Sequence, residues 1–438
     1  MAFEDEELNK RREARAREQS FMQKQKKLLR IGMIATAVTL AVCGIALLIT
    51  VLSVNAPQSP SMQTPSPDDT VQTPEEEPQP EQTPGEVPEQ NPDTIVHFVA
   101  GGDVNITDKT VAAGATGGDY RYTDIFMDLV PVLAGADLSS VNFEGSLFGA
   151  PYGGTGKSAP QQLAQALRDA GVDFVQTANS QSVVSGLDGL RSTLQGIREA
   201  GMTPLGTYSG SDDFKRSGGY VIRQVKGIRI AIVAFTKGMD GMGLPAGSED
   251  CVNLLYKDYN STYQKVDTEG ITSVLQAVQA EKPDITIALL HWGSEYNSKV
   301  SKTQEQITKL MQEQGVDAII GTHSHYVQQV SFDPVKGALV AYGLGDLYGD
   351  GTNAGTNYSV LLDLEITKDG QTGQVKLTDY SYTPIFLQDE TETGGSLRLL
   401  RIPQAMAAYE QNAINKVSED TYNQMKTALE KVRQRMMA

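Results

Sequence analysis

The chain has 438 residues, with 54 acidic against 37 basic side chains and a formal net charge of −17, a balance that argues against unaided nucleic-acid binding. Its two cysteines, Cys43 and Cys251, fall in separate segments; no disulfide can form within the bulk of the chain, and a Cys-ligated zinc site is excluded. An anionic ligand would need a local cationic centre, and a bound metal ion is one way to provide it.

In chain order, residues 1–30 form a basic segment with Arg11, Arg12, Arg15, Arg17, Lys24, Lys26, Lys27 and Arg30, succeeded by a run from Ile31 to Val54 without a charge. About 20 apolar residues span a bilayer as a helix, so 31–54 is expected to be a transmembrane helix. Its positive flank precedes it, which keeps the N-terminus in the cytoplasm and places the chain after Val54 outside. A cleaved signal peptide is the competing reading; the long basic region and the missing small-x-small site favour an uncleaved anchor. Residues 55–93 are rich in Pro, Glu, Gln and Thr and lack Lys and Arg, the composition of an extended, self-repelling stalk that buries too little surface to order itself.

From residue 94 apolar, β-branched runs alternate with helical patterns. Strands are expected at Ile95–Ala100, Leu138–Val141, Phe174–Thr177, Ile228–Phe235, Ile285–Leu290, Ala318–Ile320 and Ala338–Tyr342, and helices at Tyr122–Leu133, Pro160–Ala170, Gly189–Ala200, Glu269–Ala280 and Thr303–Gln314. The alternation predicts an α/β domain over 94–390 with helices on both faces of its sheets. Tyr358–Ile366 and Gln374–Tyr382 flank a turn and read as a hairpin. Residues 391–438 read as a C-terminal helical segment, with helical spacing from Met406 to Val432 that favours packing on the domain over presenting a partner surface.

Polar residues recur where these strands end: Asp103, Asn142 and Glu144, Asn179, His291 with Glu295, the pair His323 and His325, and Asp346. Carboxylates, an amide oxygen and imidazoles make a mixed O/N ligand set that suits Mn, Fe or Zn. Each piece alone has a plainer reading as a turn, a cap or a satisfied loop histidine; three of the four histidines at two strand ends favour a site. His97, inside the first strand, reads as structural. Trp292 either stacks on a ligand or packs beside the site. Glu295 either orients His291, lines the cleft or is a solvated loop acid. Gly153-Gly154-Thr155-Gly156-Lys157-Ser158 looks like a phosphate loop, but Pro151 stands where the first glycine is required, so it reads as a mobile loop.

The ordered set Gly102-Asp103, Asn142-Phe143-Glu144, Ala178-Asn179, His291-Trp292-Gly293-Ser294-Glu295-Tyr296, Gly321-Thr322-His323-Ser324-His325 and Tyr342-Gly343-Leu344-Gly345-Asp346 resembles the capsule-synthesis protein CapA family, the poly-γ-glutamate capsule proteins of the calcineurin-like metallophosphoesterase superfamily. The resemblance implies a four-layer α/β/β/α sandwich with one or two divalent metals (Mn, Fe or Zn), for which Asp103, Glu144, Asn179, His291, His323 and His325 are the ligand candidates. His291, Glu295 and Gln181 are the candidate catalytic residues. The family's third motif, Ala-Asn-Asn-His-x-x-Asp-x-Gly, reads here Ala178-Asn179-Ser180-Gln181-Ser182-Val183-Val184-Ser185-Gly186. Gln181 replaces a histidine and can hydrogen-bond a substrate but cannot donate a proton near neutral pH. Asp346 stands where Asn is usual.

The resemblance implies a membrane-anchored extracellular protein that takes part in synthesis, export or anchoring of an anionic cell-surface polymer such as poly-γ-glutamate, alongside membrane polymer-synthase subunits, with metal-dependent hydrolysis as one means. A non-catalytic scaffold or polymer-binding protein with a degenerate site is the alternative.

Overall fold

The structure, a computed structural model, describes residues 91–436. The basic segment, the apolar run 31–54 and all but the last residues of the stalk lie outside the described residues. Among those described, no helix is long and apolar enough to cross a membrane.

Two mixed β-sheets organise the domain. The first is built on β1 (Thr94–Asn105), β2 (Leu138–Glu144), β3 (Phe174–Gln176) and β4 (Thr203–Leu205), parallel neighbours in that order, with α1 (Gln161–Ala170) and α2 (Gly186–Glu199) in the crossovers. The chain then lays down β5 (Tyr220–Val225), β6 (Ile228–Thr236), α3 (Thr268–Ala280), β7 (Ile285–His291), α4 (Lys302–Glu313), β8 (Ala318–Thr322), β9 (Val330–Asp333) and β10 (Ala338–Ala341). These strands form a six-stranded sheet in the order β9-β10-β8-β7-β6-β5, in which β6, β7, β8 and β10 run parallel. The chain next returns to the first sheet. There β11 (Asp346–Tyr348) lies parallel to the end of β1, while β12 (Tyr358–Lys368), β13 (Val375–Asp389) and β14 (Leu397–Arg401) extend the sheet antiparallel from β1. Helices α5 (Ile402–Glu410) and α6 (Glu419–Met436) end the described chain.

The two-residue period of a strand sorts its side chains between faces. On β6, Ile228, Ile230, Ile232 and Ala234 join Val96, Phe98 and Ala100 of β1 in one apolar layer between the sheets, whereas Ala231, Val233 and Phe235 point outward. Outside, Ile271 and Leu275 of α3 and Ile307 and Met311 of α4 cover the second sheet; Leu163 and Leu167 of α1 cover the first. A fully buried isoleucine contributes roughly 1.5–3 kcal/mol, so the inter-sheet layer is a major part of the driving force. The order is therefore helix, sheet, sheet, helix. α4 starts with a capping box in which the Ser301 hydroxyl accepts from the Gln304 N–H at 3.2 Å, while Gln304 Oε1 accepts from the Ser301 N–H at 2.9 Å.

Several elements depart from the sequence pattern for identifiable reasons. The expected helix Tyr122–Leu133 is broken into Thr123–Phe126, a 3-10 turn at Met127–Leu129 and Val130–Leu133, because Pro131 cannot donate into a continuous helix and opposes the preceding turn. The segment 391–438 is not helical throughout, since β14 lies in it and pairs with β13, but it packs on the domain as its spacing favours: Met425, Ala428, Val432 and Met436 of α6 enter the inter-sheet layer. The Gly153–Ser158 loop, expected to be mobile, is tied down by Gly154 N–H to Asp108 Oδ1 at 2.7 Å and Ser146 N–H to the Lys157 carbonyl at 2.8 Å. His97 pairs with Asp363 at 3.1 Å, a structural contact.

Strand β1 runs five residues past its expected end, with a register shift between Ala100 and Asp103 against β2. Gly102 makes this possible: a Cβ there would stand 1.8 Å from the Gly345 carbonyl oxygen, which accepts from the Asp103 N–H at 3.0 Å. Gly102→Ala is expected to push β11 off β1 and to lower stability by roughly 1–3 kcal/mol, the cost of overpacking; the midpoint of denaturant unfolding measures this.

Candidate metal centre

All the parallel strands that carry the polar motifs end at one edge of the two facing sheets, as open α/β sheets place their sites at the carboxyl ends of strands. Asp103 sits opposite Asn142 of β2 on one side and Asp346 of β11 on the other, and His291 closes β7 opposite Thr322 of β8. Past β8 the backbone turns sharply. His323 and His325 have φ of 86° and 56°, values that L residues adopt uncommonly and that recur at functional sites. The His323 N–H donates to Asp103 Oδ2 at 3.2 Å and Ser324 Oγ donates to the Tyr326 carbonyl at 2.7 Å, holding the turn.

Two sets of ligand-type atoms converge there, Glu144 with His291 and His323, and Asp103 with Glu144 and His325; within each set the atoms lie within 4.8 Å of one another, and all these residues are buried. Glu144 belongs to both. Around them Asn142 Nδ2 donates to Asp103 Oδ1 at 2.6 Å and to Glu144 Oε1 at 3.3 Å, and His291 Nε2 lies 3.5 Å from Glu144 Oε1. Asp346, which in the sequence is both one of the strand-end polar residues and a departure from its motif, lies 2.7 Å from His325 Nδ1 and orients that ring, the usual role of a carboxylate behind a ligating imidazole.

Burial and mutual repulsion set the protonation of this cluster. Burial raises the Asp103 carboxyl to about 6, against the opposing pull of His325, and burial with the neighbouring Asp103 charge raises Glu144 well above the carboxylate range. Burial would lower His325, but its bond to Asp346 and the charges of Asp346, Glu144 and Asp103 prevail and hold it at about 11. His291 and His323 are held well below the ordinary histidine value by burial and by nearby positive groups, so both are neutral. Carboxylates crowded at zero to a few per cent exposure, neutral imidazoles beside them and one protonated imidazole among them are a donor set that a divalent cation fits.

Asn179, the remaining ligand candidate, is buried beside the cluster with its amide turned elsewhere: Nδ2 donates to Asn142 Oδ1 at 3.0 Å and the Phe143 carbonyl at 2.7 Å, and Oδ1 accepts from the Gln181 N–H at 2.9 Å. Gln181 sends its Nε2 to Asp240 Oδ2 at 3.1 Å. Glu295 stands at the open edge, its side chain 43% exposed and 4.0 Å from His325 Nε2, on the His325 side rather than against His291. Trp292 is fully buried, donates to the Tyr342 carbonyl at 3.0 Å and stacks on the Tyr342 ring, so it packs beneath the site.

Three further neighbours are not among the candidates read from the sequence. Ser180 Oγ lies 3.2 Å from His291 Nε2 and 3.5 Å from His323 Nδ1. Lys237 Nζ lies 3.2 Å from His323 Nε2 and donates to the Gly293 carbonyl at 3.1 Å, with the Tyr263 ring 4.6 Å away. Lys157 donates to Asn105 Oδ1 at 3.2 Å and its charge reaches Glu144 and Asp346. Lys237 directly succeeds a strand, as the recognised residues do, and that position was its available signal.

The family described as bacterial capsule synthesis protein PGA_cap matches residues 97–351, more than half of the chain. Capsule biosynthesis protein CapA of Bacillus anthracis is 27% identical over 263 residues, covering 58% of this chain and 59% of that protein. PGA biosynthesis protein CapA of Bacillus subtilis (strain 168) is 24% identical over 275 residues, covering 61% and 66%. Each alignment thus spans less than two thirds of the relative. Among solved structures, the calcineurin-like phosphoesterase YfkN from Bacillus subtilis aligns with a TM-score of 0.42 and 16% identity over 78% of this chain and 100% of that one. Every cluster residue from Asp103 to Asp346 falls inside the matched region, and the chain belongs to the bacterial capsule synthesis protein PGA_cap family.

Proposed function

We propose that the protein is a CapA-like component of capsule production, anchored in the membrane by residues 31–54 with its domain outside, and that it acts on an anionic polymer such as poly-γ-glutamate at a centre for two divalent ions. Membrane polymer-synthase subunits are its natural neighbours in this reading. The observation that carries it is the pair of buried ligand sets sharing Glu144, in a chain whose family is named for capsule synthesis. Asp103, Glu144 and His325 would hold one ion, and Glu144, His291 and His323 the other. Mn, Fe or Zn held there would supply Lewis-acid polarisation of a substrate oxygen and an activated water.

The chain's own groups do the rest. Lys237 and Lys157 place positive charge beside the cluster in an otherwise acidic protein and favour an anionic substrate. Asp346 holds the His325 ring. Glu295, partly exposed at the rim, is placed to exchange a proton with a substrate atom. Gln181 provides a hydrogen-bond donor where its relatives' motif has a histidine, and its contact with Asp240 supports a second reading, a polymer-binding protein with little or no turnover.

The full-length chain, purified without chelator, is expected to retain one to two equivalents of Mn, Fe or Zn by elemental analysis, and His323→Ala/His325→Ala to lose them. Retention by the double variant would remove the site from consideration. Binding should also release protons, because ligation requires neutral His325 and ionised Asp103. With His325 at about 11, the ion at the Asp103 position releases at least one proton at neutral pH; with Asp103 at about 6, that same ion releases a further one below about pH 6. Affinity therefore falls as pH falls, more steeply below about 6. Calorimetry in buffers of different ionisation heat counts these protons, and pH-independent binding would contradict the assignment.

Gln181→His is expected to raise hydrolysis of a phosphodiester or of poly-γ-glutamate by about 10²-fold or more, the usual contribution of a general acid or base. No gain with metal bound would favour the polymer-binding reading. Deleting the gene should change the amount or length of surface polymer; an unchanged polymer would remove the capsule role.

A further inference from the structure

Of the two ligand sets, the one around Asp103, Glu144 and His325 is rich in charge, with Asp346 behind it. The other, Glu144 with His291 and His323, has a single carboxylate, and that carboxylate is shared. Three donors of this kind leave a divalent ion short of a closed shell, since even a four-coordinate site needs one more. The expected fourth donor from sequence is Asn179, yet both ends of its amide are occupied by protein groups.

Its neighbour occupies the gap. Ser180 is 1% exposed, and its hydroxyl oxygen lies between the two imidazoles, 3.2 Å from His291 Nε2 and 3.5 Å from His323 Nδ1. The same His291 nitrogen faces Glu144 at 3.5 Å. Lys237 sits on the opposite nitrogen of His323, Nε2, so Nδ1 is the nitrogen turned toward the serine. Asn179 places this hydroxyl: its side chain accepts from the Gln181 N–H and donates to the Phe143 carbonyl, clamping the turn on both sides of Ser180.

We propose that Ser180 is the fourth inner donor of the Glu144–His291–His323 position, and that Asn179 acts on it only by positioning. This rests on the metal-binding reading above and adds an inequality to it. A neutral hydroxyl is a poorer donor to a hard cation than a carboxylate. The Ser180 position therefore binds more weakly than the Asp103 position, and the protein holds one ion tightly and a second one exchangeably.

The test uses the full-length chain with Mn²⁺ in equilibrium dialysis, read by elemental analysis, and Cd²⁺ with Ser180→Cys, read by ultraviolet absorption. Wild type is expected to take up two ions of unequal affinity. Ser180→Ala should weaken only the weaker one, by at least about tenfold, since loss of outer partners alone costs 10–100-fold. In Ser180→Cys, nearly isosteric with wild type, Cd²⁺ should produce a sulfur-to-metal charge-transfer band absent from the wild-type protein, which carries the same Cys43 and Cys251. A folded Ser180→Cys that binds Cd²⁺ without the band, or a Ser180→Ala that keeps both ions at wild-type affinity, overturns the assignment while leaving the metal centre standing. Wild type that takes up no Mn²⁺ overturns both.

Discussion

The apolar layer between the two sheets is the contact on which the rest depends. Ile228, Ile230 and Ile232 from one sheet and Val96, Phe98 and Leu362 from the other are fully buried in it. Because both sheets present parallel strands whose carboxyl ends reach the same edge, packing the layer also brings Asp103 and Glu144 opposite His291 and His323. No residue of the cluster has to find its partners one by one. The hydrophobic association supplies the free energy that holds several carboxylates and imidazoles out of water, a grouping whose electrostatics oppose it.

That opposition explains the protonation pattern. His325 carries a proton among Asp346, Glu144 and Asp103, so the imidazolium compensates part of the buried negative charge in the cation-free protein. A divalent cation held there would take over that role and expel the proton, so that proton concentration and metal concentration would oppose each other at one place.

Much of this was legible in the sequence, and the parts that were not have physical causes. Strands such as Ile228–Thr236 and Ile285–His291 announce themselves because both faces are buried and the runs are almost wholly apolar, broken only by Arg229 and Thr286 before their polar last residues. β1 and β2 extend beyond their apolar runs because their last residues, Asp103, Asn142 and Glu144, are polar; burial at the site, and not hydrophobicity, keeps them extended. β4, β5 and β14 are short or lie at or near sheet edges, where pattern is weak. The cluster was visible as an ordered series of motifs, since Asp103, Glu144 and His291 come from three strand ends and His323 and His325 share a fourth. Ser180 and Lys237 were not. A serine beside a motif asparagine carries no distinguishing signal, and which of Asn179 and Ser180 points inward is decided by the turn at Ser182, whose hydroxyl accepts from the Asn179 N–H at 2.9 Å.

The pairing of β1 with β12 has a consequence for how the protein is made. His97 meets Asp363 across that pair, 266 residues apart in the chain, and β11, which completes the surroundings of Asp103, comes only a few residues before β12. Such high contact order slows folding, because loop-closure entropy must be met before the long-range contacts form. The first strand, with its apolar run Ile95–Ala100 broken only by His97, thus waits unpaired on one edge while most of the domain is still emerging. A polypeptide with that delay needs its early strands shielded from other chains in the interval, and the acidic composition, which makes nascent copies repel one another, is a shield already written into it.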